Sequence, residues 1–373
     1  MTIKELTTLE NLNNAFYECA KISQWKETTQ RYKSNLLENN LKLQDEVRNG
    51  TYKISNTTNF TLNERGKIRY IEAPAIRDRI IQKILCQKIL VPQLTKSLIY
   101  DNYASLKNKG TSLARKRINI FLHRYINKHG SHGYILKIDI KKYFDSIDHN
   151  ILKDMLHKRL NEPLEVLNLI DYIIDSSSET NKGLNLGSEA PQIFAIYYLS
   201  FLDNYIKSVK SIKYYGRYMD DIFIISDNKD ELKNILIDIK KQLEKLNLQI
   251  NEKKTYITTL KHGFTFMQIK YNVVEGKVIK RPAHSKIVRE RRRLKKYKKL
   301  YDKRIMDELH IYNCYKSWRN STLKDCKNGK QSVLSLDALY NQLFYIPKQQ
   351  YHKSTREELI QKAYRELYCF VKE

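Results

Sequence analysis

Apolar and polar residues along this chain follow two spacings. Recurrence every three or four positions predicts helices, and short apolar runs bounded by turn residues predict strands. Residues 9–49 mix at helical spacing, with Trp25, Tyr32, Leu36, Leu37 and Leu41 expected inside. A short β region is predicted from Gly50-Thr51-Tyr52-Lys53-Ile54 through Phe60-Thr61-Leu62 and Ile68-Arg69-Tyr70-Ile71, turning at Asn63-Glu64-Arg65-Gly66 and ended by Pro74. Helices are expected over residues 78–90, about 113–129, 148–160, 163–176 and 229–246. Another opens at Gly187, with Phe194, Ile196, Tyr197, Leu199, Phe201 and Leu202 mostly inside. Strands are expected over 134–140, on either side of 218–221, around 248–250 and 255–257, and as a last pair at 263–271 and 277–280.

Two places break the apolar pattern with acid. In Tyr134-Ile135-Leu136-Lys137-Ile138-Asp139-Ile140 a buried strand is interrupted by one Asp, which is costly unless the charge is paired or metal-bound. At Tyr218-Met219-Asp220-Asp221 two adjacent carboxylates sit at a hairpin tip between β-branched and aromatic residues. Neighbouring acids repel, and a divalent cation is the natural neutraliser. Three carboxylates on two adjoining strands make a site for two ions about 3.5–4 Å apart, suited to in-line phosphoryl transfer. Oxygen donors favour Mg2+, with Mn2+ as a substitute. Asp145 and Asp148 lie nearby, but Asp148 reads as the cap of the helix starting at His149, and Asp145 as facing solvent or a lysine. His149 reads as structural.

Charge narrows the choice of partner. The 373 residues carry 68 Lys and Arg against 41 Asp and Glu, a formal +27 that favours a long polyanion over a small acidic metabolite. The excess is concentrated over residues 277–304, with fourteen Lys or Arg against Glu290 and Asp302. Ile287, Leu294, Tyr297, Leu300 and Tyr301 recur there at helical spacing, so residues 285–301 predict a cationic helix suited to a duplex backbone. Arg289, Arg291, Arg292, Arg293, Lys295 and Lys296 are its candidate phosphate contacts. The five cysteines are scattered without zinc spacing and read as reduced packing residues. No signal peptide or membrane span is evident, so the expected compartment is the cytoplasm, with no membrane partner.

The order of these blocks resembles the reverse transcriptase superfamily, in the form written by bacterial group II intron-like, diversity-generating and defence-associated enzymes. Leu136-Lys137-Ile138-Asp139-Ile140-Lys141-Lys142-Tyr143-Phe144-Asp145 is similar to the family's first catalytic motif, and Tyr218-Met219-Asp220-Asp221 to its Tyr-x-Asp-Asp hairpin. The resemblance implies metal ligation by Asp139, Asp220, Asp221 and the carbonyl of Ile140. It also implies that Phe144 gates against the ribose 2'-hydroxyl, and that Tyr218 and Met219 lie against nucleic acid. Gly187-Ser188-Glu189-Ala190-Pro191-Gln192 resembles the substrate-positioning motif, although Asn185-Leu186 replaces the usual Pro-Gln or Pro-Ile and Pro191 a common serine. Lys67 and Arg69 match the basic pair on the triphosphate, Lys254 the lysine near the leaving pyrophosphate, and Gly263-Phe264-Thr265-Phe266-Met267-Gln268 the primer grip.

The implied fold is α+β, a right-hand polymerase. The expected division is N-terminal helices and fingers over 1–133, a palm over 134–274 with a helical insertion at about 150–182, and a basic helical thumb with a C-terminal segment over 275–373. The implied activity is RNA-directed DNA synthesis from dNTPs on an RNA template and a DNA primer, with an associated non-coding RNA or accessory protein as further candidate partners. A role in anti-phage defence is the expected setting. The alternatives are template-independent or protein-primed synthesis, and a maturase-like RNA-binding protein. The intact acidic set argues against the last.

Overall fold

A computed structural model describes residues 1–344 apart from Arg65; the side chains of Lys67 and Lys327, and everything from 345 onward, including Tyr345 and Cys369, lie outside the described residues. The first β pair is the ribbon β1 (Thr58–Glu64) and β2 (Lys67–Ala73), antiparallel with Asn63 opposite Ile68. Its turn is held by Gly66 N–H donating to Asn63 Oδ1 at 3.0 Å. At its base, Glu72 N–H donates to the Leu186 carbonyl at 3.2 Å, and a Cβ on Gly187 would press into the Glu72 carbonyl. That close approach explains the glycine.

The central sheet contains β3 (Tyr134–Asp139), β4 (Tyr215–Tyr218), β5 (Asp221–Ser226) and β6 (Tyr256–Thr259), in the order β4-β5-β3-β6 and antiparallel throughout. Ile135, Leu136 and Ile138 of β3 and Ile222 to Ile225 of β5 are buried on both faces, which is why these runs are apolar without alternation. The Lys229–Glu244 helix packs on β3 and β5, and the Thr111–His129 helix against β4. The Glu189–Tyr198 helix is buried from Ala190 to Tyr198 apart from Gln192, so it forms the centre of the helical layer. The free edge of β4 is covered by residues 101–103, through Tyr103 N–H to the Arg217 carbonyl at 2.9 Å and Arg217 N–H to the Asp101 carbonyl at 3.0 Å.

A three-stranded sheet follows: β7 (Phe264–Phe266), β8 (Ile269–Val274) and β9 (Lys277–Pro282). Met267 and Gln268, both left-handed at φ 47° and 64°, make the β7–β8 turn. The chain forms two compact units. One holds Met1–Met267 with Tyr271–Val278, and the other Gln268–Lys270 with the described residues from Ile279 onward. In the second unit the helices His284–Asp302, Glu308–Asp325 and Lys330–Leu343 enclose Ile287, Leu294, Ile311, Tyr315, Leu336, Tyr340 and Phe344. Tyr315 and Tyr340 stack at 4.8 Å.

Several expectations need correction. Trp25 is 81% exposed, and Leu37 and Leu41 are also exposed, because a turn at residues 21–26 interrupts the helical run. The opening helices instead bury Leu12, Ala15, Phe16, Leu43 and Val47. Residues 50–54 are not strand; Tyr52 turns inward and donates to Asp78 Oδ1 at 2.7 Å. Residues 248–250 make only the isolated bridge Ile140–Ile250. Phe201 is exposed because the helix breaks at Leu199.

The hairpin between β4 and β5 hangs on a fully buried ion pair. Arg217 donates to Asp203 through Nε at 2.8 Å and Nη2 at 2.6 Å, to the Ile196 carbonyl at 2.9 Å, and through Nη1 to the Met219 carbonyl at 3.1 Å. Tyr215 also donates its hydroxyl to Asp203. Arg217→Met leaves Asp203 buried and unpaired, with an expected loss of roughly 3–5 kcal/mol in denaturant unfolding. The double variant R217M/D203L, which removes both charges, is expected to recover most of it.

Candidate active site

The strand register brings the acids together. Asp139, the last residue of β3, is the direct partner of Asp221, the first residue of β5. Tyr218 pairs with Asp221 across the hairpin, so Met219 and Asp220 form its tip. Met219 is left-handed at φ 53°, the conformation a two-residue turn requires, and the Arg217 bond to its carbonyl steadies it. Tyr218 and Met219 are half-buried against the main core. Asp139 terminates the apolar strand instead of interrupting it, and all three acids are half-buried.

Each carboxylate has a different environment. Asp139 accepts from Asn251 Nδ2 at 3.0 Å and from Lys254 Nζ at 3.1 and 3.2 Å, while its carbonyl accepts from Asn251 N–H at 2.7 Å. Asp221 Oδ1 is held by the ammonium of Lys137. Asp220 has its pKa pushed up to about 6, first by burial and then by the neighbouring charge of Asp139. Asp221 is also raised, again by burial first, with Lys137 opposing the shift. Sequence reasoning missed Lys137 and Asn251 as site residues. A lysine inside an apolar strand, two residues before an acid and hence on the same face, was the signal for the first. The Asn251-x-x-Lys254 spacing was the signal for the second.

Among the described residues, no three His, Cys, Asp or Glu side chains converge closely enough to enclose an ion in this conformation. The expected convergence is therefore incomplete: two lysines stand on carboxylate oxygens. The donor set nevertheless fits a hard divalent cation. Its groups are all oxygen, and it is crowded and buried enough to lift two of its acids above their ordinary range. The Ile140 side chain is fully buried, with Lys141 N–H bound to the Gln249 carbonyl beside it at 2.8 Å.

Phe144 is half-buried on the main core, edge-on to Tyr143 at 5.8 Å, and its carbonyl accepts from Leu184 N–H at 2.9 Å. This bond ties the Gly187 loop region to the segment after Asp139. Asp145 is exposed; Asp148 caps its helix by accepting from Asn150 and Ile151 N–H at 3.0 and 3.2 Å. His149 is fully buried with Nε2 at 2.7 Å from the Gly183 carbonyl. Arg69 lies on β2 with its Nε 2.7 Å from Glu64 Oε2; the strand period puts position 67 on the same face.

In the second unit, Arg291, Arg292, Lys295, Lys296 and Lys299 form one exposed stripe of the His284–Asp302 helix, opposite buried Ile287, Glu290 and Leu294. Arg293 leaves this stripe. It donates to Glu290 at 2.7 and 3.2 Å and lies over the Tyr297 ring, so buried Glu290 neutralises it. Arg289 is half-buried beside the stripe, and Lys299 is a stripe member that the expected set omitted.

Comparison with known proteins settles the family. The model of the family described as reverse transcriptase (RNA-dependent DNA polymerase) matches residues 55–278, more than half of the chain. The chain belongs to this family. The matched span of this reverse transcriptase family member contains both acidic strands, the β1–β2 ribbon and the Gly187 loop. No curated protein matches it by sequence. Similar solved structures include an apo telomerase from Candida tropicalis truncated from its C-terminal domain, at 18% identity and TM-score 0.46, covering 61% of this chain and 55% of that one. Another is apo telomerase from Candida tropicalis, at 16% identity and TM-score 0.46, covering 79% and 60%. A third is telomerase from Candida albicans in complex with a TWJ fragment of telomeric RNA, at 14% identity and TM-score 0.47, covering 84% and 58%. The chain thus spans a little over half the length of these telomerase structures. Among its described residues no helix is long and apolar enough to cross a membrane.

The raised pKa of Asp220 has a stability consequence of definite sign. The native carboxyl holds its proton to about pH 6, the unfolded one only to about 3.9, so stability falls as pH rises through that window. Above it the cost is on the order of 1–2 kcal/mol once partial exposure is allowed for. In chelator, Asp220→Asn is expected to melt above the unaltered protein at pH 7.5 and level with it near pH 4. Equal melting at both pH values would contradict the electrostatic account.

Proposed function

We propose that this chain is an RNA-directed DNA polymerase that extends a primer 3'-hydroxyl with dNTPs. The observation that carries the reading is the register pairing Asp139 with Asp221, with Asp220 at the adjoining tip. Two Mg2+ ions, when bound, supply charge neutralisation for the attacking hydroxyl and the departing pyrophosphate. Asp139 and Asp220 would hold both, with Asp221 completing the primer-side position and the Ile140 carbonyl a further oxygen ligand.

The chain's own residues set the rest. Asn251 orients Asp139 by a side-chain and a backbone hydrogen bond. Lys254, whose side chain is 64% exposed, is free to swing from Asp139 toward a polyphosphate. Lys67 and Arg69 are assigned to the same triphosphate, with Arg69 exchanging Glu64 for phosphate. Phe144 is assigned to the sugar of the incoming nucleotide, and the backbone at Gly187 to the substrate side of the cleft. The exposed stripe of the His284–Asp302 helix is assigned to the phosphates of the template–primer duplex, as in a thumb; the β1–β2 ribbon takes the place of fingers and the central sheet that of a palm. Binding by such a stripe weakens with salt because counterions are released from the duplex.

Primer extension on an RNA template with Mg2+ and labelled dNTPs tests the assignment. Asp139→Ala and Asp220→Asn are each expected to lower incorporation by at least a thousand-fold while duplex affinity persists; retained synthesis in either would refute the proposed chemistry. Charge reversal at Arg291, Arg292 and Lys295 is expected to weaken template–primer binding and flatten its dependence on salt, whereas reversal at Arg293 leaves the salt slope unchanged. An unaltered slope in the first variant returns the stripe to an ordinary solvated face.

A further inference from the structure

Lys137 is 5% exposed in the middle of β3, opposite Phe223 on β5 and Tyr256 on β6. Two residues from Asp139, it shares that residue's face of the sheet, as Phe223 shares the face of Asp221. Its side chain therefore runs diagonally along the sheet to Asp221 Oδ1, with the ammonium 4.7 Å from the centre of the Phe266 ring. Lys137 and Lys254 both touch the acids, but they differ in their alternatives. Lys254 can leave for solvent. Lys137 cannot: away from Asp221 its charge would sit unpaired among apolar and aromatic groups, a strongly disfavoured state.

We infer that Lys137 is a positioning residue and a permanent tethered counter-ion of the acidic site, fixing Asp221 by one oxygen and keeping the site's affinity for a free divalent cation low. Resting on the polymerase reading, this makes ion retention depend on the phosphates that arrive with a nucleotide. Three carboxylates facing one resident ammonium attract a cation less than three carboxylates alone, and substrate phosphates restore the missing negative charge. The arrangement discourages loading of ions before substrate. It also holds Asp221 in a single orientation, with its second oxygen left available.

The test is Mn2+ binding without nucleotide, followed by electron paramagnetic resonance and by the cation-induced shift in melting temperature. Lys137→Met is expected to bind Mn2+ at least about ten-fold more tightly than the unaltered protein, with a larger melting shift. Lys137→Arg, which keeps the charge, is expected to stay within about three-fold of the unaltered protein. Unchanged or weaker binding by K137M overturns the inference, as does K137R behaving like K137M. If K137M fails to fold, the double variant K137M/D221N, which lacks both charges, is expected to fold, and its failure to do so overturns the pairing. Absence of any cation uptake by the unaltered protein, with and without dNTP, would instead defeat the polymerase reading on which this rests.

Discussion

The repulsion among three carboxylates at one end of an apolar sheet is the constraint that organises the surrounding structure. Strand pairing forces Asp139 and Asp221 to face each other, and the hairpin adds Asp220. A fold built on hydrophobic burial alone would not choose this arrangement. Around it the chain has placed two lysines, an asparagine and a buried arginine that fixes the turn. None of these removes the strain: burial and neighbouring charge still lift the pKa of Asp220 and Asp221. The site keeps a standing demand for positive charge.

Much of this was legible in the residues because the relevant signals are local. Adjacent acids between β-branched runs specify a hairpin tip, and an Asp before a helical pattern specifies the cap observed at Asp148. Helices with a clear apolar face were placed within a few residues. The failures share a different cause. Trp25, Leu37 and Leu41 have the composition of a core face, but a turn at residues 21–26 rotates the register, and no local pattern announces it. Lys137 stands out only by its place in an apolar strand on the face of Asp139, and its partner Asp221 is a tertiary contact; Arg293 pairs with Glu290 one turn away on its own helix, and only the burial of Glu290 separates it from its basic neighbours.

The Arg217–Asp203 pair illustrates why such contacts escape periodicity. Two formal charges at full burial violate the pattern on which strand and helix prediction depends, and fourteen positions separate them. Their value lies in geometry: one guanidinium bonds a helix carbonyl, a helix carboxylate and the turn carbonyl at Met219. A planar five-donor group can span these at once, which lysine cannot.

The contact between Gly187 and Glu72 carries a mechanical implication. With no side chain between the two backbones, the base of the β1–β2 ribbon and the approach to the Glu189–Tyr198 helix meet like a hinge pin in its socket. Movement of the ribbon's root is thereby passed directly to the start of a helix buried along almost its whole length.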